Sequence, residues 1–386
     1  MAFTGKATYA AGSDLPEIAE DVADIVSIVS PYETPLLDRL GDPARAATST
    51  FHEWLEDELL PNTDTIDDAD WTDPAADATF GVANAARFRV GDQVRAAGSE
   101  ELMMVTAVDT TGGTITVTRG YGGTTPEDLS DGLTLHILGN AALEGDDSPA
   151  ARFTTRVRKG NWTQIFTAGI RISGSELAAR KIAVADELDY QKQERLRELL
   201  RDLENTVVNG TAPASDPQGS AGTRRTMRGV LPSLSTNIFR PGEDGFPAEA
   251  NLTEEQLNLA LRAVWEQSAS RIDTIVVNGH QKRRINGFIT SVRAYGANDV
   301  AYRDLVSTYE SDFGVCRVVL CRHMPADAVL LLDSSRVDVL PLAGRSFHYK
   351  PLASTGDYES GEVIGEYTVE LRNENAHGVI RSLTAS

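Results

Sequence analysis

The chain has 386 residues, of which 41% are apolar and 24% charged, a globular composition long enough for two or three domains at about 150 residues each. The formal net charge is −21, and residues 1–150 hold all of it, with 28 acidic and 7 basic residues against 29 of each in the remainder. This excludes tight binding to a nucleic-acid backbone through the acidic part, which needs phosphates neutralised by cations, and the lack of any run of about 18 apolar residues excludes a membrane-spanning helix.

Two cysteines, Cys316 and Cys321, cannot make a disulfide framework and fit a reducing compartment. Their odd spacing in a strand predicts opposite faces. The opening Met-Ala-Phe-Thr-Gly-Lys runs into Asp14, Glu17, Glu20 and Asp21, which is neither a secretory nor a transit pattern, so the protein is expected to stay where it is made. The excess of 30 Arg over 6 Lys is read as coding bias.

In chain order, Ile18, Val22, Ile25, Val26 and Val29 predict a short helix within Asp14–Ser30, stopped by Pro31-Tyr32-Glu33-Thr34-Pro35 as a rigid bend. Residues 46–86 are acidic and expected to be extended by self-repulsion. Trp54 and Trp71 within them are costly to leave in water and are expected to dock on another surface. Residues 87–138 read as a small all-β module, with a hairpin of Glu101–Val108 and Thr114–Thr118 across Asp109–Gly113.

Ser173-Gly-Ser-Glu176 has capping-box spacing and is expected to open a short helix. The spacing of Leu196, Leu199, Leu200, Leu203 and Val207 predicts a long helix over about 186–208, with Glu194/Arg197 and Glu198/Arg201 pairs on its polar side and Asn209-Gly210 as its stop. Residues 211–250 read as a loop rich in Gly, Pro and Ser. Beyond them come a second capping box at Thr253–Gln256, a helix with Leu257, Leu261, Val264 and Trp265 on one face, and a strand at Ile272–Val277. Asn278 is placed to cap a helix bearing Ile285 and Ile289. Short strands follow over 315–320, 328–332 and 337–340, and a last one over Glu362–Arg372.

No motif carries catalytic chemistry. His52-Glu53-Trp54-Leu55-Glu56 lacks the second His of a zinc-peptidase helix. Asp64–Asp77 lacks EF-hand spacing. Cys316, Cys321 and His323 have no fourth ligand nearby. Arg119-Gly-Tyr-Gly-Gly is neither a dinucleotide motif nor a P-loop, and His280-Gln-Lys-Arg-Arg284 holds too few charges for strong nucleic-acid affinity. No catalytic, cofactor or metal site is expected, and the chain is not expected to be an enzyme.

Ordered stretches resemble the major capsid proteins of tailed bacteriophages with the Hong Kong 97-type fold. They are Pro31-Tyr-Glu-Thr-Pro35 with Leu36-Leu37, Phe51-His-Glu-Trp54, Asn161-Trp-Thr-Gln-Ile-Phe166, Tyr190–Gly210 with Arg201-Asp-Leu-Glu204, Ser311-Asp-Phe-Gly314, Gly365-Glu-Tyr-Thr-Val-Glu370 and Asn373-Glu-Asn-Ala-His-Gly378. The resemblance implies an α+β capsid fold. Its parts would be an N-terminal arm over 1–45, an extended loop over 46–175 carrying the β-module at 87–138, a peripheral domain with a spine helix over 176–250, an axial domain over 251–345 and a return to the peripheral domain over 346–386.

The function implied is self-assembly into hexamers and pentamers of an icosahedral head around double-stranded DNA. Separate scaffolding and portal proteins, and in some heads decoration proteins, would be partners, with assembly in the host cytoplasm. The founding member of the fold cross-links a loop Lys to an Asn of a neighbour. Here no Lys occurs between Lys6 and Lys159, so non-covalent contacts are expected. Candidate inter-subunit residues are Pro31, Tyr32, Pro35, Trp54 and Trp71, with Arg195, Arg197, Arg201, Arg224, Arg225 and Arg228 as a basic face for the acidic region of a neighbour. The competing readings are a nanocompartment shell of the same fold and a soluble enzyme with a cleft in the α/β region.

Overall fold

The computed structural model describes residues 33–69, 73, 76–145, 147, 151–178, 186–268, 271–292 and 308–385. The helix expected within Asp14–Ser30, together with Pro31, Tyr32 and Trp71, lies outside the described residues. Two compact units emerge: a body of Met1–Trp54 with Arg158–Ser386, and a second unit of Leu55–Val157.

The body opens with α1 (Pro35–Leu40), where Pro35 sits at the helix start and its missing N–H costs nothing. The chain then enters β1 (Phe51–Glu56), which pairs with the later β8 (Val157–Trp162) in a two-stranded ribbon. The chain passes between the units only through this ribbon.

The second unit is one six-stranded sheet in the order β2-β7-β4-β5-β6-β3, formed by β2 (Thr63–Thr65), β3 (Thr79–Gly81), β4 (Asp92–Ala96), β5 (Met103–Asp109), β6 (Thr114–Thr118) and β7 (Thr134–Asn140). A bridge between Ile66 and Val82 joins its two edges. The N–H of Asp67 bonds the Gly81 carbonyl at 3.0 Å, and that of Ala83 bonds Thr65. The sheet thus closes into a barrel without free edges, filled by Ile66, Phe80, Phe88, Val94, Met103, Ile115 and Leu135.

This corrects two expectations. The β-module is larger than residues 87–138, and the acidic segment before it is not simply extended, because it supplies β2 and β3. Its charge is tolerated where it is paired. Buried Asp64 meets Arg87 at 3.0 Å and accepts the Asn84 N–H at 2.9 Å. Arg119 forms a bidentate pair with fully buried Glu101, 2.8 Å to each oxygen. Burial alone would raise the Glu101 pKa, but Arg119 and the N–H groups of Glu127 and Gly120 hold it below the usual carboxylate value.

In the body, β9 (Gln164–Ser173) leads into the short α2 (Gly174–Ala178), where Ser173 Oγ accepts the Glu176 N–H at 3.2 Å as the capping spacing predicts. The spine, α3 (Glu187–Asn209), is capped by Asp186, which accepts the N–H groups of Leu188 and Asp189. Its 23 residues span about 35 Å. Gly210 ends it for a steric reason. Its φ is −54°, and a Cβ there would meet the Thr206 carbonyl oxygen at 2.5 Å.

After α4 (Val230–Ser233), a mixed sheet runs in the order β10-β18-β14-β11-β13-β12. It uses β10 (Ile238–Phe239), β11 (Thr274–Val277), β12 (Thr308–Ser311), β13 (Gly314–Leu320), β14 (Val329–Leu332) and β18 (Gly378–Ile380). One apolar core on this sheet includes side chains from α5 (Glu254–Gln267) and from α6 (Gly279–Val292), with Leu257, Leu261, Val264, Ile285 and Cys316. The Thr253–Gln256 capping box of α5 is complete. The Asn278 side chain donates to the Met324 carbonyl at 2.9 Å.

A second core holds Leu36, Leu199, Leu203, Val207 and Cys321, so the two cysteines do lie in different cores. Burial, the largest cause, pushes the Cys316 thiol up to about 11 and the Cys321 thiol to about 12, which leaves both inert.

The second core also covers the other sheet, built on β17 (Tyr358–Leu371). Along one edge of β17 run β15 (Val337–Pro341) and β16 (His348–Leu352), and along the other runs β9. A 3-10 turn at Glu374–Ala376 then carries the chain to β18 past His377, which is fully buried. Its Nδ1 accepts the Asp333 N–H at 3.3 Å, and burial drives its pKa from 6.5 down to about 4.

Above pH 6.5 this ring is neutral in both folded and unfolded states. Below that, the unfolded chain takes up a proton that the folded ring refuses, so stability falls as pH drops from 6.5 towards about 4. The loss amounts to about 3 kcal/mol over that window. Urea unfolding at about pH 7 and about pH 4.5 checks this: His377→Gln should lose one proton's worth of the pH dependence, and an unchanged dependence would refute the assignment.

Candidate inter-subunit surface and the root that holds it

Several segments of the body converge on one strand. They meet on one face of β17. Period-two alternation sends Val363, Val369 and Leu371 into the apolar core. The opposite positions, Glu366, Thr368 and Glu370, are polar yet at most 2% exposed.

Glu366 takes Arg225 Nη2 at 2.5 Å, Arg345 Nε at 2.8 Å and the Thr163 hydroxyl at 2.6 Å. Glu370 takes Arg45 Nη2 at 2.5 Å and His52 Nε2 at 2.6 Å, with Arg372 Nε at 3.5 Å. Thr368 donates to the Trp162 carbonyl at 3.0 Å. The segment after α1 at Arg45, the ribbon at His52 and Trp162, and the loop at Arg225 are therefore all held by one strand face. Asn161 completes the root. Its Nδ2 donates to the carbonyls of Arg228 and Val369, both at 2.8 Å, and its Oδ1 accepts the N–H groups of Arg228 and Trp162, both at 2.9 Å.

Helix α1 is held at both ends. Thr34 gives it no side-chain cap. Instead Glu204 of α3 accepts the N–H groups of Leu36 and Leu37 at 3.2 and 3.3 Å. Its other oxygen takes the Cys321 thiol at 3.3 Å. Burial, outweighing these donors, raises the Glu204 pKa above the usual carboxylate value. At the far end Arg39 bonds Asp273 at 2.8 Å and Thr274 at 2.9 Å.

The candidate contact residues divide. Pro35 and Trp54 are half-buried, Pro35 in α1 and Trp54 beside His52 with ring centroids 6.0 Å apart. Arg195 pairs with Glu198 at 2.8 Å and Arg197 with Glu194, so Glu198 meets Arg195 rather than the expected Arg201. Arg225 is committed inside the body to Glu366. Among the described residues Arg201 reaches Asp202 at 3.7 Å, while Arg224 and Arg228 are exposed. Charge placement by sequence distance could not separate these cases, since Glu366 lies 141 positions from Arg225. On the second unit, Leu59 is 86% and Phe153 85% exposed, with Leu55, Leu60 and Val157 also open. No helix among the described residues is long and apolar enough to cross a membrane.

Comparison with solved structures gives the fold. The capsid subunit of an empty GTA particle aligns over 98% of this chain and 99% of its own length at 10% identity, with a TM-score of 0.54. That of a native GTA particle aligns over 99% and 100% at 11% identity and 0.51. A chain from Mycobacterium phage Bobi covers 96% and 97% at 13% identity and 0.48. The fold is the Hong Kong 97-type capsid fold. Residues 3–384 match the family model described as SU10 major capsid protein, so the chain belongs to that family of phage major capsid proteins. A comparison with curated protein sequences finds no match.

The root gives a direct stability test. Glu366→Ala leaves two arginines facing an emptied site and should cost about 3–5 kcal/mol, whereas Arg228→Ala should stay within about 0.5 kcal/mol. Urea midpoints of the separate subunits measure both.

Proposed function

We propose that this chain forms the hexamers and pentamers of an icosahedral phage head enclosing double-stranded DNA, with separate scaffolding and portal proteins and assembly in the host cytoplasm. The roles we assign are an arm over 1–45, an extended loop over 46–175, a peripheral domain over 176–250, an axial domain over 251–345 and a return over 346–386. The second unit of one copy rests on the body of the next. Head-to-tail contacts of this kind close into rings.

The observation that carries this is the exposed apolar stem of Leu59 and Phe153, beyond a ribbon whose root is rigidly held. Leu55, Leu60 and Val157 are exposed on the same two segments, which Thr154 and Asp57 join at 2.8 Å, and a contiguous exposed apolar patch supports a contact surface. Charge supports the same partner. Residues 55–157 hold 19 acidic and 6 basic residues, and Arg201, Arg224 and Arg228 on the body are available to receive them. With no Lys between Lys6 and Lys159, the loop offers no amine for a covalent link, and the contacts hold non-covalently.

The test is assembly of the full chain together with the scaffolding protein of its own phage, read by negative-stain microscopy and light scattering. The wild type should give closed shells tens of nanometres across. Leu59→Ser with Phe153→Ser should remain in small oligomers with an unchanged circular dichroism spectrum. Shells from the double variant would remove the stem from the contact, and a wild type that stays small would end the shell reading.

A further inference from the structure

β9 is an outer strand of the sheet built on β17. The Gly174 N–H bonds the Asp357 carbonyl at 3.1 Å. In the register of β9 on β17 the even positions therefore pair inward, and Thr167, Gly169 and Arg171 turn their N–H and C=O groups to the open side. No described residue bonds these groups. A bare strand edge is a template for another strand. The edge formed by β16 is blunted, because its outward position is Pro351, which has no N–H to offer. β9 has no such block. Its one charge there, Arg171, lies back over the Tyr358 ring of β17, 3.6 Å from the centroid.

Beside this edge runs a groove of about 440 Å³, whose other wall is the first half of α3 at Glu187, Gln191 and Arg195. These three fall at i, i+4 and i+8, so they form one stripe with an acid at one end and a base at the other. Gln191 Nε2 donates to Glu187 at 2.8 Å. Arg195 meets Glu198 at 2.8 Å through Nη1, while its Nε is buried with no hydrogen-bond partner.

We infer that the β9 edge and this stripe form a two-fold contact with the same surface of a second copy of the chain. The strands run antiparallel with Ile170 opposite Ile170, which sets Gly169 against Arg171 and Thr167 against Ser173, with no like charges opposed. The two α3 helices then run antiparallel, Gln191 faces Gln191, and each Glu187 faces the Arg195 of the other copy. A two-fold contact needs a surface complementary to itself, and the order acid, amide, base supplies one. Head-to-tail contacts close a ring, and joining one ring to the next needs a different surface. That placement between rings rests on the shell reading above.

The experiment assembles the full chain with the scaffolding protein of its own phage and reads particles by negative-stain microscopy. Gly169→Pro removes one outward N–H and keeps the bonds to β17, at a position where a Cβ meets nothing within 4 Å. It should keep the wild-type circular dichroism spectrum and give no closed shells. Glu187→Arg should also lose shells, by opposing like charges, and adding Arg195→Glu should restore them. The two positions lie about 12 Å apart along one helix, so the rescue acts between copies. Oxidised Gln191→Cys should give a disulfide-linked dimer on a non-reducing gel. Gln193→Cys, exposed on the other side of the helix, should not. The native Cys316 and Cys321 are buried. Folded Gly169→Pro that forms shells, an exchange that fails to rescue, or Gln191→Cys that stays monomeric on the gel overturns the inference. If Gly169→Pro loses its fold, the exchange and the cross-link decide. If the wild type forms no shells, the shell reading fails, and the cross-link on the dispersed chain still decides the two-fold contact.

Discussion

Two carboxylates buried on one strand face, Glu366 and Glu370 of β17, set the geometry on which the rest of the subunit depends. Desolvating an ionised carboxylate costs several kcal/mol, and the pair is tolerated only because Arg225, Arg345, Thr163, Arg45, His52 and Arg372 converge on it. Most of those partners come from the segment after α1, the ribbon and its exit, and the loop before α4, while Arg345 and Arg372 come from the sheet's own loops. A strand that needed only a core would be apolar on both faces. This one spends one face on the core and the other on fixing the segments that leave the body.

The same logic runs through α1. A six-residue helix such as α1 cannot stand alone, since nucleation exceeds what so few hydrogen bonds return. It forms where Glu204 supplies its cap, Leu36 enters the core and Arg39 reaches Asp273. The barrel is self-sufficient by contrast. Its sheet closes through Ile66 and Val82, leaving no edge to pair wrongly with other copies at the high local concentrations of an assembling shell. What it exposes is acidic surface and an apolar stem, which suits specific contact better than indiscriminate strand pairing.

Local signals in the sequence carried far. The 3.6-residue spacing located α3 to within a residue or two, the Thr253–Gln256 capping box formed in full, Ser173 accepts the Glu176 N–H as its spacing predicted, and β6 fell on Thr114–Thr118. The acidic segment misled because β2 and β3 are only three residues each, too short to show alternation through their charge. Their place is set by the barrel that closes around them. The root was illegible for a different reason. Nothing local marks Glu204, Glu366 and Glu370 as buried, and the groups that make them hubs include partners more than a hundred residues away. Arg225 sat in a basic run with Arg224 and Arg228, yet the fold turns it inward and leaves its neighbours out.

The central claim is that the ribbon stays rooted on its own β17 while the unit beyond it engages a second copy. A cryo-EM reconstruction of assembled shells at side-chain resolution addresses both halves at once. His52 and Arg45 should lie on Glu370 of the same chain, with Leu59 and Phe153 buried against a neighbouring body. A stem packed on its own body, or a root detached from Glu366 and Glu370 in the shell, would contradict it.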